Sequence, residues 1–216
     1  MIFWNTQSVF VRVPKTASTS ILYSLLECSE GCTGYEFNKV FERSKPSFLY
    51  NNFPGDPNHV SYEVLKNHTC EHDRQLIDSY FKFAFVRNPF DRAVSIYKYI
   101  QKQETVKCRE SFVISSTFKE FVSTNLINHT AKDGIWFSDQ YTQVKDCDFI
   151  GRFETLQDDF DIVCQKLGIV RKPLPIKNQT SHKHYSEYYD EETIGMVAKK
   201  YHSDIIRFGY RFEKPA

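Results

Sequence analysis

The stretch Val9-Phe10-Val11-Arg12-Val13-Pro14-Lys15-Thr16-Ala17-Ser18-Thr19-Ser20 leaves a folding chain few choices. Its first half is β-branched and aromatic, which suits a buried strand. Pro14 has no ladder N–H and stops that strand. Ile21-Leu22-Tyr23-Ser24-Leu25-Leu26 then sets apolar residues at a spacing that suits a helix packed on a sheet. The order is strand, tight loop with a lysine, helix N-terminus. Backbone N–H groups and the positive end of the helix converge in such a loop and favour an anion. Lys15 adds a point charge, Thr16, Ser18, Thr19 and Ser20 add hydroxyls, and Ala17 sits among them. The loop contains no glycine, so it is not the G-x-x-x-x-G-K-[ST] phosphate loop. A plain strand–turn–helix corner whose hydroxyls cap the first turn fits the same residues.

The pattern repeats further along. Phe81-Lys82-Phe83-Ala84-Phe85-Val86 predicts a second buried strand, and Arg87-Asn88-Pro89 ends it. Asn88 suits an N-cap and Pro89 the first helical position, so a helix is expected over Phe90–Ile100, with Ser95 two turns in. An arginine at a strand's carboxyl end faces the crevice where α/β folds bind ligands, and its planar fork suits a phosphate. Arg87 could equally pair with Asp91. Asp148–Phe153 predicts a third strand, and a helix from Glu154 to Leu167 ends at Gly168. Thr117 or Ser116 caps a further helix, Asp190–Tyr201 reads as a charged amphipathic helix, and Ile205–Phe212 is expected to dock on the core. Strands alternating with helices imply an α/β fold: a single domain over 1–216, its central sheet mostly parallel and flanked by helices.

The chain has 216 residues, enough for a proper core, and Phe (19) and Tyr (13) make that core aromatic. Its formal net charge of +1 gives no support for a general nucleic-acid binder. No apolar run is long enough to span a membrane, and residues 1–8 lack the character of a signal peptide. A complete chain is therefore expected in the cytoplasm, where it is made, whereas an excised lumenal domain would have lost its anchor. The 6 cysteines are irregularly spaced, which argues against a zinc site and makes free thiols the default. The sequons at Asn67, Asn128 and Asn178 matter only in a secretory lumen. Residues 35–58 read as an irregular excursion with a turn at Pro54-Gly55-Asp56-Pro57, and residues 101–116 as a loop with a basic bias. The turn leads into Asn58-His59-Val60-Ser61-Tyr62; His59 can accept a proton near neutrality, or can be an ordinary surface or capping histidine. The aromatic turn at Asp133-Gly134-Ile135-Trp136-Phe137 could stack on a sugar ring or pack in the core.

Taken together, Val13–Ser20 resembles the 5′-phosphosulfate loop of sulfotransferases that use 3′-phosphoadenosine 5′-phosphosulfate (PAPS), and Arg87–Ser95 resembles their 3′-phosphate segment. Within that family the chain resembles the carbohydrate sulfotransferases, in particular those like heparan sulfate 2-O-sulfotransferase, a resemblance that implies the Golgi lumen for an excised catalytic domain. Asn58–Tyr62 is similar to the segment holding the catalytic histidine there, although those enzymes carry a second histidine where this chain has Pro57. The resemblance implies a P-loop-kinase-like three-layer sandwich. It implies sulfuryl transfer from PAPS to a hydroxyl of an oligo- or polysaccharide, without a metal or nucleic acid. Lys15 and His59 become the catalytic pair. Lys15, Thr16, Ala17, Ser18, Thr19, Ser20, Arg87 and Ser95 become nucleotide ligands. The basic stretch Arg171–Ser186 matches a loop over the nucleotide, adding Lys183 and His184, or is a solvated connector. Ile150-Gly151-Arg152-Phe153-Glu154 matches a strand-to-helix segment with an architectural role. A non-catalytic nucleotide- or glycan-binding protein on the same fold is the alternative, and an NTP kinase a weaker one because the glycine-lysine loop is missing.

Overall fold

The computed structural model describes residues 1–28, 59–67, 69, 71–102, 117–128, 135–175 and 183–214. In chain order the elements are β1 (Ile2–Phe3), β2 (Ser8–Val11), α1 (Ser18–Cys28), α2 (Tyr62–Asn67), α3 (Glu71–Ser79), β3 (Phe81–Val86), α4 (Pro89–Lys102), α5 (Phe118–Phe121), α6 (Gln140–Val144), β4 (Phe149–Arg152), α7 (Leu156–Leu167), α8 (Glu191–Lys200) and α9 (His202–Phe208). A π-helical turn at Val122–Leu126 continues α5, and 3₁₀ turns lie at Ile135–Phe137 and Tyr185–Tyr188. The excursion over 35–58 with its Pro54–Pro57 turn, most of the basic loop at 101–116, Asp133-Gly134 and residues 176–182 lie outside the described residues.

The chain forms two compact units. The first comprises residues 1–86 and 142–178 and holds the sheet, ordered β1-β2-β3-β4. β1 is antiparallel to β2, while β2–β3 and β3–β4 are parallel, with Phe10 opposite Phe83 and Phe83 opposite Phe149. This is the mostly parallel, helix-flanked α/β sheet that the sequence predicts. Both faces of β2 are buried, which explains why it reads as a continuous apolar run and does not alternate. Phe10 stacks on Phe83 at 4.9 Å, and Phe83 and Phe85 pack with Ile21 and Leu25 of α1 and with Phe160, Val163 and Cys164 of α7. Each of these side chains contributes about 1.5–3 kcal/mol on burial.

β4 crosses this aromatic layer at Gly151. A Cβ there would lie 2.5 Å from Phe85 Cε1 and 3.0 Å from Asp159 Cβ, so the strand can approach only as glycine. Gly168 ends α7 in the left-handed conformation (φ 66°), as expected for a C-cap glycine. Between the strands, the Tyr62 hydroxyl donates to Asp78 at 2.6 Å and ties α2 to α3. Burial and that carboxylate raise the Tyr62 phenol well above its ordinary range, while Lys66, at 2.7 Å, holds Asp78 low.

The second unit comprises residues 87–141 and 179–216. Asn88 Oδ1 accepts from Phe90 N–H at 3.0 Å and Pro89 opens α4, as expected. The buried face of α4 (Phe90, Ala93, Val94, Ile96, Tyr97) meets Phe118, Phe121, Phe137, Tyr185, Val197 and Tyr201. Thr117 caps α5, accepting from Glu120 N–H, and Asp190 with Thr193 forms a capping box on α8. Arg92 is fully buried in this unit. It donates to the carbonyls of Ser138 and Trp136, each at 3.0 Å, and lies over the Tyr201 ring at 5.6 Å. Burial pushes the Tyr201 phenol up to about 12, so it stays neutral at ordinary pH. The Ile205–Phe212 end packs as expected through Phe212, which meets Phe90 edge-on at 5.2 Å. Its first part is a helix that ends at the left-handed Gly209, with Ile206 turned to solvent.

Gly151→Ala is expected to cost about 1–3 kcal/mol through overpacking, read as a lower urea midpoint at unchanged m. Pairing it with Phe85→Leu should restore part of the loss. Additive losses in the double variant would contradict the close approach.

Candidate functional site

The loop after β2 adopts an unusual backbone. Lys15 (φ 68°) and Ala17 (φ 59°) are both left-handed, and Thr16 between them is not. Such a conformation costs a non-glycine residue about 1–2 kcal/mol. Left-handed residues this close together can turn neighbouring peptide N–H groups toward one side, the kind of concavity that suits an anion. Thr16 locks it: its buried hydroxyl donates to the Val13 carbonyl at 3.0 Å. That proton is therefore committed to the loop, and Thr16 can offer an anion its peptide N–H and not its hydroxyl hydrogen. α1 follows at once, its ladder starting with Ile21 N–H to Ala17 C=O at 3.2 Å. Ser18 and Ser20 are buried on its first turn, and Lys15 and Thr19 are half-buried.

His59 comes to this loop from far along the chain. Its Nδ1–H donates to the Arg12 carbonyl at 2.8 Å, at the first residue beyond β2. This bond selects the neutral tautomer whose lone pair sits on Nε2, the form a proton acceptor needs. Ser61 Oγ accepts Val64 N–H at the start of α2, and the Tyr62–Asp78 bond fixes that helix, so the chain that follows His59 is held in place. Pro57, where the resemblance expects a second histidine, lies outside the described residues.

The other nominated residues belong to the second unit. Arg87 is nearly buried, and its Nε–H donates to Asp91 at 2.8 Å. Ser95 is buried on α4. Lys183 is exposed and pairs with Glu187 at 3.2 Å. His184 Nδ1 accepts from Ser186 N–H at 3.3 Å and caps the 3₁₀ turn at Tyr185–Tyr188. That turn packs on α4, and the neighbouring Tyr189 hydroxyl donates to the Phe90 carbonyl at 2.9 Å.

Two residues that the sequence did not nominate stand behind Arg87. Gln140 is fully buried, with its carboxamide against the Arg87 main chain, and the buried Asp204 carboxylate binds Gln140 in turn. No local spacing announces this pair, and the polar residues around Gln140 (Ser138, Asp139, Thr142, Gln143) give no sign that it is buried.

Among the described residues no group of His, Cys, Asp and Glu could hold a metal ion, and no helix is long and apolar enough to cross a membrane. Cys147 and Cys164 are in no disulfide, and burial pushes the Cys147 thiol up to about 12.

The sequence matches the profile of the family described as the sulfotransferase family over residues 4–211. Carbohydrate sulfotransferase 9 of Homo sapiens is 28% identical over 155 residues, covering 61% of this chain and 34% of that protein. Carbohydrate sulfotransferase 11 of Mus musculus is 25% identical over 193 residues, covering 73% and 55% respectively. An uncharacterized protein of Archaeoglobus fulgidus is 34% identical over 97 residues, 44% of this chain. The matches thus span only 34% and 55% of the two carbohydrate sulfotransferases.

The left-handed loop has a direct test. Ala17→Gly should leave stability within about 1 kcal/mol, since glycine adopts this backbone freely, whereas Ala17→Val should lose about 2 kcal/mol or more in thermal unfolding. Equal losses would contradict the loop geometry.

Proposed function

Because the chain belongs to the sulfotransferase family, we propose that it transfers a sulfuryl group from PAPS to a hydroxyl of a carbohydrate acceptor. We take 1–216 as one sulfotransferase domain, a reading supported by a family match that runs through both units. The observation that carries the reading is the hydrogen bond from His59 Nδ1–H to the Arg12 carbonyl, beside a lysine-bearing loop with two left-handed residues. The carbohydrate acceptor is supported by the names of two relatives.

In this reading the loop from Lys15 to Ser20 takes the 5′-phosphosulfate through its peptide N–H groups, the Lys15 ammonium and the α1 terminus. Arg87 and Ser95 take the 3′-phosphate, and Lys183 and His184 flank the nucleotide. The acceptor oxygen forms its bond to sulfur while the bond from sulfur to the 5′-phosphate oxygen breaks. The acceptor's proton goes to His59 Nε2, and the negative charge left on the phosphate oxygen is met by Lys15. The reaction needs in-line positioning and charge stabilisation more than covalent help from the protein. An Nε2 lone pair fixed by an Nδ1–H bond is what a general base requires.

His59→Ala should lower turnover by about 10²–10⁴-fold while adenosine 3′,5′-bisphosphate still stabilises the fold. Activity of the parent enzyme should fall on acidification as the imidazole takes up its proton, and an active His59→Ala enzyme with an unchanged pH profile would refute the role. Adenosine 3′,5′-bisphosphate should protect against heat far more than AMP, by about 2.7 kcal/mol at a hundredfold excess over its dissociation constant. Lys15→Ala should reduce turnover more than it weakens binding of this product nucleotide, because its charge acts most strongly in the transition state. A variant with normal turnover and only poorer donor affinity would overturn that assignment.

A further inference from the structure

Arg87 is the first residue past β3, and both of its main-chain polar groups are satisfied by one side chain. Its N–H donates to Gln140 Oε1 at 2.9 Å, and Gln140 Nε2–H donates back to the Arg87 carbonyl at 2.8 Å. A residue in an antiparallel ladder exchanges the same two bonds with its partner. The carboxamide therefore makes the two bonds that a paired strand residue would make.

The orientation of this amide is over-determined. The Arg87 N–H requires an oxygen opposite it, and Asp204 Oδ2, at 3.1 Å from Nε2, requires the nitrogen on its own side. The Asp204 carboxylate also accepts Gln140 N–H at 3.0 Å and Tyr141 N–H at 2.8 Å, which seats the first turn of α6. Gln140 and Asp204 are both 0% exposed, so no water competes for these bonds.

We propose that Gln140, held by Asp204, is a positioning residue that pre-orders the Arg87 main chain and so sets the enzyme's preference for a nucleotide bearing a 3′-phosphate. This rests on the reading of Arg87 as the 3′-phosphate ligand. An arginine whose backbone is already fixed loses less freedom on gripping an anion, and the gain falls on the ligand that carries the anion. A nucleotide without a 3′-phosphate does not use Arg87 and should not register the change.

Gln140→Met keeps the length of the side chain and removes both bonds. Affinities for adenosine 3′,5′-bisphosphate and AMP would be measured on the parent protein, Gln140→Met and Arg87→Ala. The expected result for Gln140→Met is an approximately tenfold loss for the bisphosphate, equivalent to about 1.4 kcal/mol, with AMP affinity held within about twofold. General damage would lower both affinities alike, and that result would overturn the proposal. Arg87→Ala losing the preference while Gln140→Met keeps it would also overturn the proposal and leave the Arg87 reading intact. If Arg87→Ala keeps the preference, the Arg87 reading fails and the proposal with it. Should Gln140→Met not fold, hydrogen exchange of the parent protein decides. The Arg87 amide should be as well protected without nucleotide as with it, and fast exchange that slows only on binding would refute pre-ordering.

Discussion

A peptide group that leaves a buried sheet must still find a hydrogen-bond partner, and that requirement shapes this molecule wherever a strand ends. Beyond β2, the Arg12 carbonyl is taken by His59 and the Val13 carbonyl by the Thr16 hydroxyl. At the end of β4, the Arg152 N–H is taken by Asp159, whose Oδ2 also receives the Thr155 hydroxyl. Beyond β3, both groups of Arg87 are taken by Gln140. The carboxyl ends of β2, β3 and β4 thus each recruit side chains, and two of the recruits, His59 and Gln140, come from remote sequence.

The parts of this arrangement that obey local rules were legible in the sequence. β2 and β3 announce themselves by β-branched and aromatic runs, α4 by Asn88 and Pro89, α7 by Gly168, and α5 by Thr117. The strand–loop–helix with Lys15 was readable for the same reason. The left-handed Lys15 and Ala17 were not, because neither residue type calls for that backbone. Nor was the internal bond of Thr16, which turns an expected ligand hydroxyl into a brace.

What depends on distant partners was hidden. β1 has two residues and no period to detect, and α6 has five. The π-helical turn after α5 leaves no compositional trace. Gln140 and Asp204 find each other across 64 positions, and no window along the chain contains both. His59 was nominated as a residue, but its hold on Arg12, 47 positions away, is a product of the fold alone. Arg92 lies within the Arg87–Ser95 stretch, and its role as a buried brace in the second unit, bonded to the Ser138 and Trp136 carbonyls, is likewise a product of the fold.

The first unit is discontinuous: residues 87–141 of the second are spliced between β3 and the chain that returns as β4. On a ribosome, β3 is therefore made, and can pair with β2, well before its other neighbour exists. Until Phe149–Arg152 emerges, the far edge of β3 presents unpaired N–H and C=O groups beside Phe83 and Phe85. The nascent chain is thus most vulnerable to adventitious pairing while the inserted segment is being synthesised. The pace at which that segment is translated and collapses governs how long the open edge persists.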